Sequence, residues 1–271
     1  PADAPMVLRE VSFLAPFAVP PGAARDLRVH LKPLQAAADL QSFTVKGRTL
    51  DGSGWVECVR GVVGTLSDFG SVAPTVLDLS AIRARCGSGG AVDPARQPAH
   101  LVFGPRWANL HRVDRGQGEA LLTLELGTAF EADLSQYSLH PALLDLATAG
   151  AQSLLPGFDE ERDFFVPGSY GELRQWAALP ARFVSHVRLK AGGHDAPGTA
   201  RVAVYDVTLA DPQGRVIVEI TDFAMVRIQD RSFSSLAPAA AGNPEAAPAP
   251  KAVANPLLAL GLQEGIRPDE G

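Results

Sequence analysis

Cysteine is scarce in this sequence. Only Cys58 and Cys86 occur among 271 residues, and they form no CxxC pair. A disulfide framework and a structural zinc site are therefore not expected, and a reducing cytoplasm suits the chain best. Long apolar runs are missing as well. No segment approaches the roughly 18 apolar residues that a membrane span needs. The opening PADAPMVLRE has neither a basic n-region nor an apolar h-region, so it does not read as a signal peptide. It meets a strand pattern within a few residues, and the chain is expected to be a piece of a longer polypeptide. Positive charge is in deficit: 24 Lys and Arg against 30 Asp and Glu leave a net charge of −6. That balance argues against nucleic acid or an anionic membrane as the main partner.

What is present is a globular body. Hydrophobic residues make up 46%, and the length suffices for one large domain or two small ones. The first half is rich in strand signals: VLREVSF (7–13), DLRVHLK (26–32), QSFTVKG (41–47) and WVECVRGVVG (55–64). The turn formers PPG and DGSG lie between them. A short helix is expected at LSAIRARC (79–86), followed by a Gly-rich loop, GSGG (87–90). That loop is no phosphate cradle, because no Lys-Ser/Thr follows it. Strand patterning resumes at EALLTLEL (119–126), RFVSHVRLK (182–190), ARVAVYDVTLA (200–210) and RVIVEITDFAMVRI (215–228). The last two flank DPQG and read as a hairpin. Asp222 breaks the alternation and marks a candidate bulge. From about residue 231 the composition turns Ala/Pro-rich, as in an extended linker.

Between the two strand groups lies YSLHPALLDLATAG (137–150). Pro141 suits a first helical turn, where its missing N–H is no loss. Leu143, Ala147, Ala151 and Leu154 form one stripe, and Leu144, Thr148, Ala151 and Leu155 a second beside it. A helix apolar on so many sides is usually buried, yet Asp145 sits inside it. The residue pattern leaves two readings. Asp145 could balance the helix dipole, an effect of ~0.3–1 kcal/mol that fades beyond the first turn. Alternatively, a desolvated carboxyl has its pKa raised and can hold and deliver a proton. The order strands, helix, strands favours an α+β fold, a curved antiparallel sheet around a central helix.

HPALLD (140–145) resembles the second catalytic motif of the dehydratase domains of modular type I polyketide synthases. FGPRW (103–107) resembles that family's (Y/F)GPxF element. WVECVRG (55–61) is similar to its Trp-x-x-His-x-x-Gly strand, and VPGSYGELR (166–174) to the stretch whose residues line the acyl channel. The resemblance covers roughly residues 6 to 230.

It implies a double hotdog: two antiparallel sheets, each wrapped around a long central helix, with the first hotdog incomplete in this chain. Residues 1–100 would hold the remainder of the first hotdog and the connection, and 101–230 the second. Residues 231–254 would be the linker, and 255–271 a stub leading onward. The implied reaction is syn elimination of water from a 3-hydroxyacyl thioester on an acyl carrier protein, with Asp145 as the acid. Gly104, Pro105, His140, Pro141 and Tyr170 would bind substrate, His140 by ordering the helix start. No metal or cofactor is implied, since the phosphopantetheine arm belongs to the substrate. Neighbouring synthase domains and a second copy of the chain are the further partners. Relatives of this fold also shift double bonds or close cyclic ethers, and a noncatalytic scaffold module is the remaining alternative.

Three departures stand out. The family's HxxxGxxxxP motif, which carries the base, is absent around His30, His100, His111, His140, His186 and His194. The segment that would carry it is expected upstream of Pro1; loss of the motif in this variant is the other possibility. Cys58 replaces the strand histidine. Ala149 stands where many members carry Gln or His four residues after the aspartate. Of the remaining polar residues, His30 and His186 read as structural strand positions. Arg106, Arg174 and Arg182 are candidates for meeting an acidic carrier or the arm's phosphate, against the alternative of solvated surface charge.

Overall fold

A computed structural model describes residues 5–34, 37–69, 74–96, 101–150, 152–194 and 201–228. The expected linker and stub after residue 231, and His100, lie outside these residues. The strands are β1 (Met6–Phe13), β2 (Leu27–Leu34), β3 (Ala37–Arg48), β4 (Trp55–Thr65), β5 (Ser88–Ala91), β6 (Leu110–Arg115), β7 (Glu119–Glu125), β8 (Phe165–Gln175), β9 (Arg182–His194), β10 (Val202–Ala210) and β11 (Val216–Arg227). Among the described residues two α-helices accompany them, α1 (Leu79–Arg85) and α2 (Pro141–Ala149).

All eleven strands join one sheet in the order β2-β3-β4-β1-β8-β11-β10-β9-β7-β6-β5. Every pairing between them is antiparallel. The seam is β1 against β8, where Val11 faces Tyr170 and Leu8 faces Leu173. It divides a first sheet of four strands from a second of seven. The fold is α+β, with two hotdog sheets fused edge to edge.

The second sheet holds the core, and its sequence says why. In β7, EALLTLE buries Ala120, Leu121, Leu122 and Leu124 in a nearly unbroken run. Such a run fits a strand covered on both faces. Ala120, Leu122 and Leu124 join the large cluster around Leu143 and Ala147 of α2. Leu121 points the other way, with Val184 and Ala210, onto Leu79, Ile82 and Cys86 at α1. There Glu119 accepts from Arg85 at 2.7 Å and bonds to His186 Nε2 at 2.7 Å.

The sheet bends along a line of irregular residues. Glu10 and Asp222 have positive φ, 51° and 54°, and the register slips beside each of them. Between them lies Gly171, where a Cβ would stand 2.9 Å from that of Asp222. The bulge foreseen at Asp222 is therefore present, its carboxylate held by Lys190 at 2.5 Å. The DPQG hairpin is also present, with Asp211 Oδ1 accepting from Gln213 and Arg215 N–H groups.

Two expectations are corrected. GSGG is not a loop: Ser88–Ala91 forms edge strand β5 on β6. Gly89 permits this, because its φ is 154° and a Cβ there would collide with the Val113 carbonyl oxygen. The central helix is also shorter than the apolar stripes suggest. It ends at Ala149, and Gln152–Leu154 form a separate 3-10 turn.

Candidate active site

Helix α2 is fixed at both ends by neighbours. Pro141 occupies its first turn, and His140 precedes it without a side-chain cap. Asn109 Nδ2 donates to the Ala142 carbonyl at 3.0 Å, and Ser185 Oγ to the Ala147 carbonyl at 2.7 Å. At the far end a Cβ on Gly150 would stand 2.6 Å from the Leu122 side chain. Only glycine lets the helix end seat so closely on β7.

Asp145 is the fifth residue of this helix, past the turn where dipole effects are strongest. Asp145 lines a cavity of about 420 Å³ together with Phe103, Trp107, Leu110, Phe165 and Met225. Trp107 Nε1 donates to Asp145 Oδ2 at 2.7 Å. Burial pushes the Asp145 carboxyl above the ordinary carboxylate range, and the Trp107 bond opposes that rise only in part. A carboxyl in this setting can be kept protonated and used as an acid.

Trp107 comes from FGPRW. Gly104 and Pro105 start a 3-10 turn (Pro105–Trp107), and the Phe103 and Trp107 rings stack at 5.8 Å with an interplanar angle of 3°. Asn109 Nδ2 ties the turn to α2 by donating to both the Arg106 carbonyl, at 2.9 Å, and the Ala142 carbonyl.

Of the six residues singled out in the sequence, Asp145 alone is on the cavity wall. Gly104 and Pro105 are exposed and act one step away, by shaping the turn that presents Trp107. Pro141 is exposed at the helix start. His140 is buried, with Nε2 3.5 Å from Asp133 Oδ2 and Nδ1 unpartnered. Tyr170 is buried on β8, edge-on to Phe13 at 5.3 Å and tilted against Phe223 at 5.2 Å. Its hydroxyl pKa is raised, first by burial and then by the nearby Asp145 charge. Tyr170 thus lies within electrostatic reach of Asp145, on the seam between the two sheets.

The three candidate arginines each have a carboxylate partner. Arg106 meets Asp133 at 2.6 Å, Arg174 meets Glu172 at 2.5 Å, and Arg182 meets Glu125 at 3.6 Å. Trp107, Phe103 and Asn109 escaped the sequence reading. The available signal was a tryptophan closing FGPRW where the family element closes with phenylalanine. Among the described residues no helix is long and apolar enough to cross a membrane. Among them, too, no group of three or more His, Cys, Asp or Glu is placed to hold a metal ion.

Comparison with known proteins gives this architecture a class. The dehydratase domain of a trans-AT polyketide synthase from Brevibacillus brevis superposes with a TM-score of 0.72 at 21% identity, over 82% of this chain and 76% of that one. The CurK dehydratase of the curacin polyketide synthase gives 0.67 at 16%, over 84% and 77%. It has been crystallised as inactive mutants, one Asp→Asn and one His→Phe. These likenesses define the fold as that of the double-hotdog dehydratase domains. The family described as "Polyketide synthase dehydratase N-terminal domain" matches residues 77–235, and the chain belongs to the polyketide synthase dehydratase family. Polyketide synthase ThaG of Burkholderia thailandensis is 25% identical over 229 residues, 82% of this chain. The chain spans about 4% of the length of that relative.

Proposed function

We propose that the chain is a dehydratase that removes water from a 3-hydroxyacyl thioester on an acyl carrier protein, giving an α,β-unsaturated acyl thioester in polyketide assembly. One observation carries the reading: Asp145, half-buried and hydrogen-bonded by Trp107, stands on the wall of a largely apolar cavity of about 420 Å³. That volume falls in the range of small-molecule sites, roughly 300–1,000 Å³.

In this reaction a base takes the proton α to the thioester carbonyl. The C–H electrons form the new C=C bond as the β C–O bond breaks. Asp145 supplies the proton that turns the departing hydroxyl into water, ending as a carboxylate. The proposed base is a histidine of the same polypeptide outside these 271 residues. The inactive Asp→Asn and His→Phe mutants of the CurK dehydratase support one acid and one base of these types. Among the described residues, no histidine lines the cavity with Asp145. The carrier's phosphopantetheine arm enters as part of the substrate, and the reaction uses no metal or other cofactor. The partners are the acyl carrier protein, the adjoining synthase domains and a second copy of the chain, in the cytoplasm.

The test is substitution of Asp145 in the intact polypeptide. Asp145→Asn and Asp145→Ala should lower water loss from a 3-hydroxyacyl thioester by at least ~10²-fold, the scale of a lost general acid. Full activity in either variant would refute the assignment. Mass spectrometry of the product from a δ-hydroxy substrate separates dehydration from double-bond migration and ring closure.

A further inference from the structure

Asp145 has two carboxyl oxygens, and the structure treats them differently. Oδ2 accepts the Trp107 indole N–H at 2.7 Å. Among the described residues, Oδ1 has no hydrogen-bond partner. The indole N–H is a donor only. In a protonated carboxyl one oxygen is a carbonyl, the stronger acceptor, and the other bears the hydrogen. A donor fixed against Oδ2 therefore favours the arrangement with Oδ2 as carbonyl and the hydrogen on Oδ1.

The donor is fixed. The Trp107 ring stacks on Phe103, and its backbone N–H closes the 3-10 turn onto the Gly104 carbonyl at 3.0 Å. Asn109 binds that turn to α2, the helix that carries Asp145. One helical turn beyond Asp145, Ala149 also lines the cavity and brings only a methyl group.

We propose that Trp107 is the positioning residue of Asp145: it holds Oδ2 as acceptor, so that Oδ1 carries the transferable proton. The proposal rests on the dehydratase reading and adds which oxygen acts and what orients it.

A change in the acidity of Asp145 is one readout, so the groups around it matter. Tyr170, on β8, is neutral wherever a carboxyl titrates, its own pKa being raised by burial. The charged residues on the cavity wall are Asp93, Arg96, Arg115, Glu160 and Asp163. Arg96 pairs with Glu160 at 2.8 Å, and Asp163 with Arg227. Arg115 donates to Ser153 Oγ at 2.9 Å, and Asp93 Oδ1 accepts from the Ala95 N–H at 3.0 Å. Trp107 is the one hydrogen-bond partner of the Asp145 carboxyl among the described residues. A hydrogen bond from a neutral donor favours the carboxylate over the acid, so its loss should raise the Asp145 pKa further.

The decisive variant replaces the Trp107 indole with benzothiophene, in which sulfur takes the place of N–H at nearly constant shape. Trp107→Phe accompanies it. In the intact polypeptide the benzothiophene variant should lose about tenfold or more in kcat, on the scale of one hydrogen bond to a charged group. KM should change little, and the pH limb that reports Asp145 should move upward. Infrared spectroscopy gives a readout independent of turnover. The carbonyl band of protonated Asp145, identified by its disappearance in Asp145→Asn, should shift and persist to higher pH in the benzothiophene variant. A variant with unchanged kcat, pH profile and carbonyl band would overturn the proposal, even if Trp107→Phe unfolds. If Asp145→Asn keeps full activity, the dehydratase reading falls. The infrared band then still decides whether Trp107 orients this carboxyl.

Discussion

The two parts of the sheet are both built from strands rich in apolar residues and end in opposite situations. In the second sheet Leu122, Leu124, Val187 and Leu209 are all 0% exposed. In β2 of the first sheet, Leu27, Val29 and Leu31 are 48%, 59% and 55% exposed. They alternate with Arg28, His30 and Lys32, so one face is apolar and the other charged. Among the described residues both α-helices make their main contacts with the second sheet. Alternation thus writes which face is apolar, while burial depends on whether another element lies over that face. An apolar strand face left open is also a site for association.

The sharpest way to break this contrast is a matched pair of truncations. Leu143 of α2 is 0% exposed and belongs to the main cluster. Leu143→Ala should cost about 2–5 kcal/mol, the range for large-to-small changes in a packed core. Leu31→Ala should stay within about 0.5 kcal/mol, as at other exposed positions. Denaturant unfolding of the 271-residue chain reads both. A cost at Leu31 near that at Leu143 would mean that β2 is covered in solution, and the contrast would fail.

A smaller effect is expected on the face of the second sheet where α1 docks. Glu119 is held down to about 2, first by its bond to Arg85 and then by that to His186. His186 nevertheless sits below the ordinary histidine range, because burial outweighs the help from Glu119. At neutral pH the pair is therefore a carboxylate and a neutral imidazole. A carboxyl lowered in the folded state stabilises fully above its unfolded pKa and loses that contribution as pH falls through the folded one. For Glu119 the window runs from about 4.5 down to about 2. Glu119→Gln should cost on the order of 1–2 kcal/mol at pH 7, and the deficit should shrink as pH falls through that window. A deficit independent of pH would assign the loss to packing. Among the described residues, the first sheet has no counterpart to this docked helix.

Much of the fold was legible because its signals are local. HPALLD placed α2 and its carboxyl, DPQG placed the hairpin, and Asp222 marked the bulge by breaking the alternation. The errors have physical causes. GSGG has no side chains to display a strand period, and its pairing depends on the approach of Gly89 to Val113. LHRVDR hides β6 because charged residues interrupt its apolar positions. The apolar stripes ran past Ala149 because Leu155, the residue just after the following 3-10 turn, is buried in the same cluster as α2. In the site, the motif led to Gly104 and Pro105, which are visible as turn formers. The atom that meets Asp145 belongs to Trp107, 38 positions away, and no periodicity reports a contact at that distance.

The smallest predicted effect concerns what the site costs the fold. Asp145 has a raised carboxyl pKa caused by burial. A group raised in the folded state stabilises below its unfolded pKa and loses that contribution as pH rises through the folded pKa. Above that point the folded chain must bury a charge that the unfolded chain would hydrate. Asp145→Asn keeps the shape and an oxygen for the Trp107 N–H but never ionises. Its melting temperature should therefore exceed that of the parent at pH 8, with the gain fading towards pH 4. Each 1 kcal/mol of relief corresponds to roughly 2–4 °C in a domain of this size, so a gain of a few degrees is expected. The variant expected to abolish water loss is thus also expected to be the more stable protein at alkaline pH. No gain at pH 8 would mean that the carboxyl is hydrated, and the contrast between an open first sheet and a dry second one would lose its functional half.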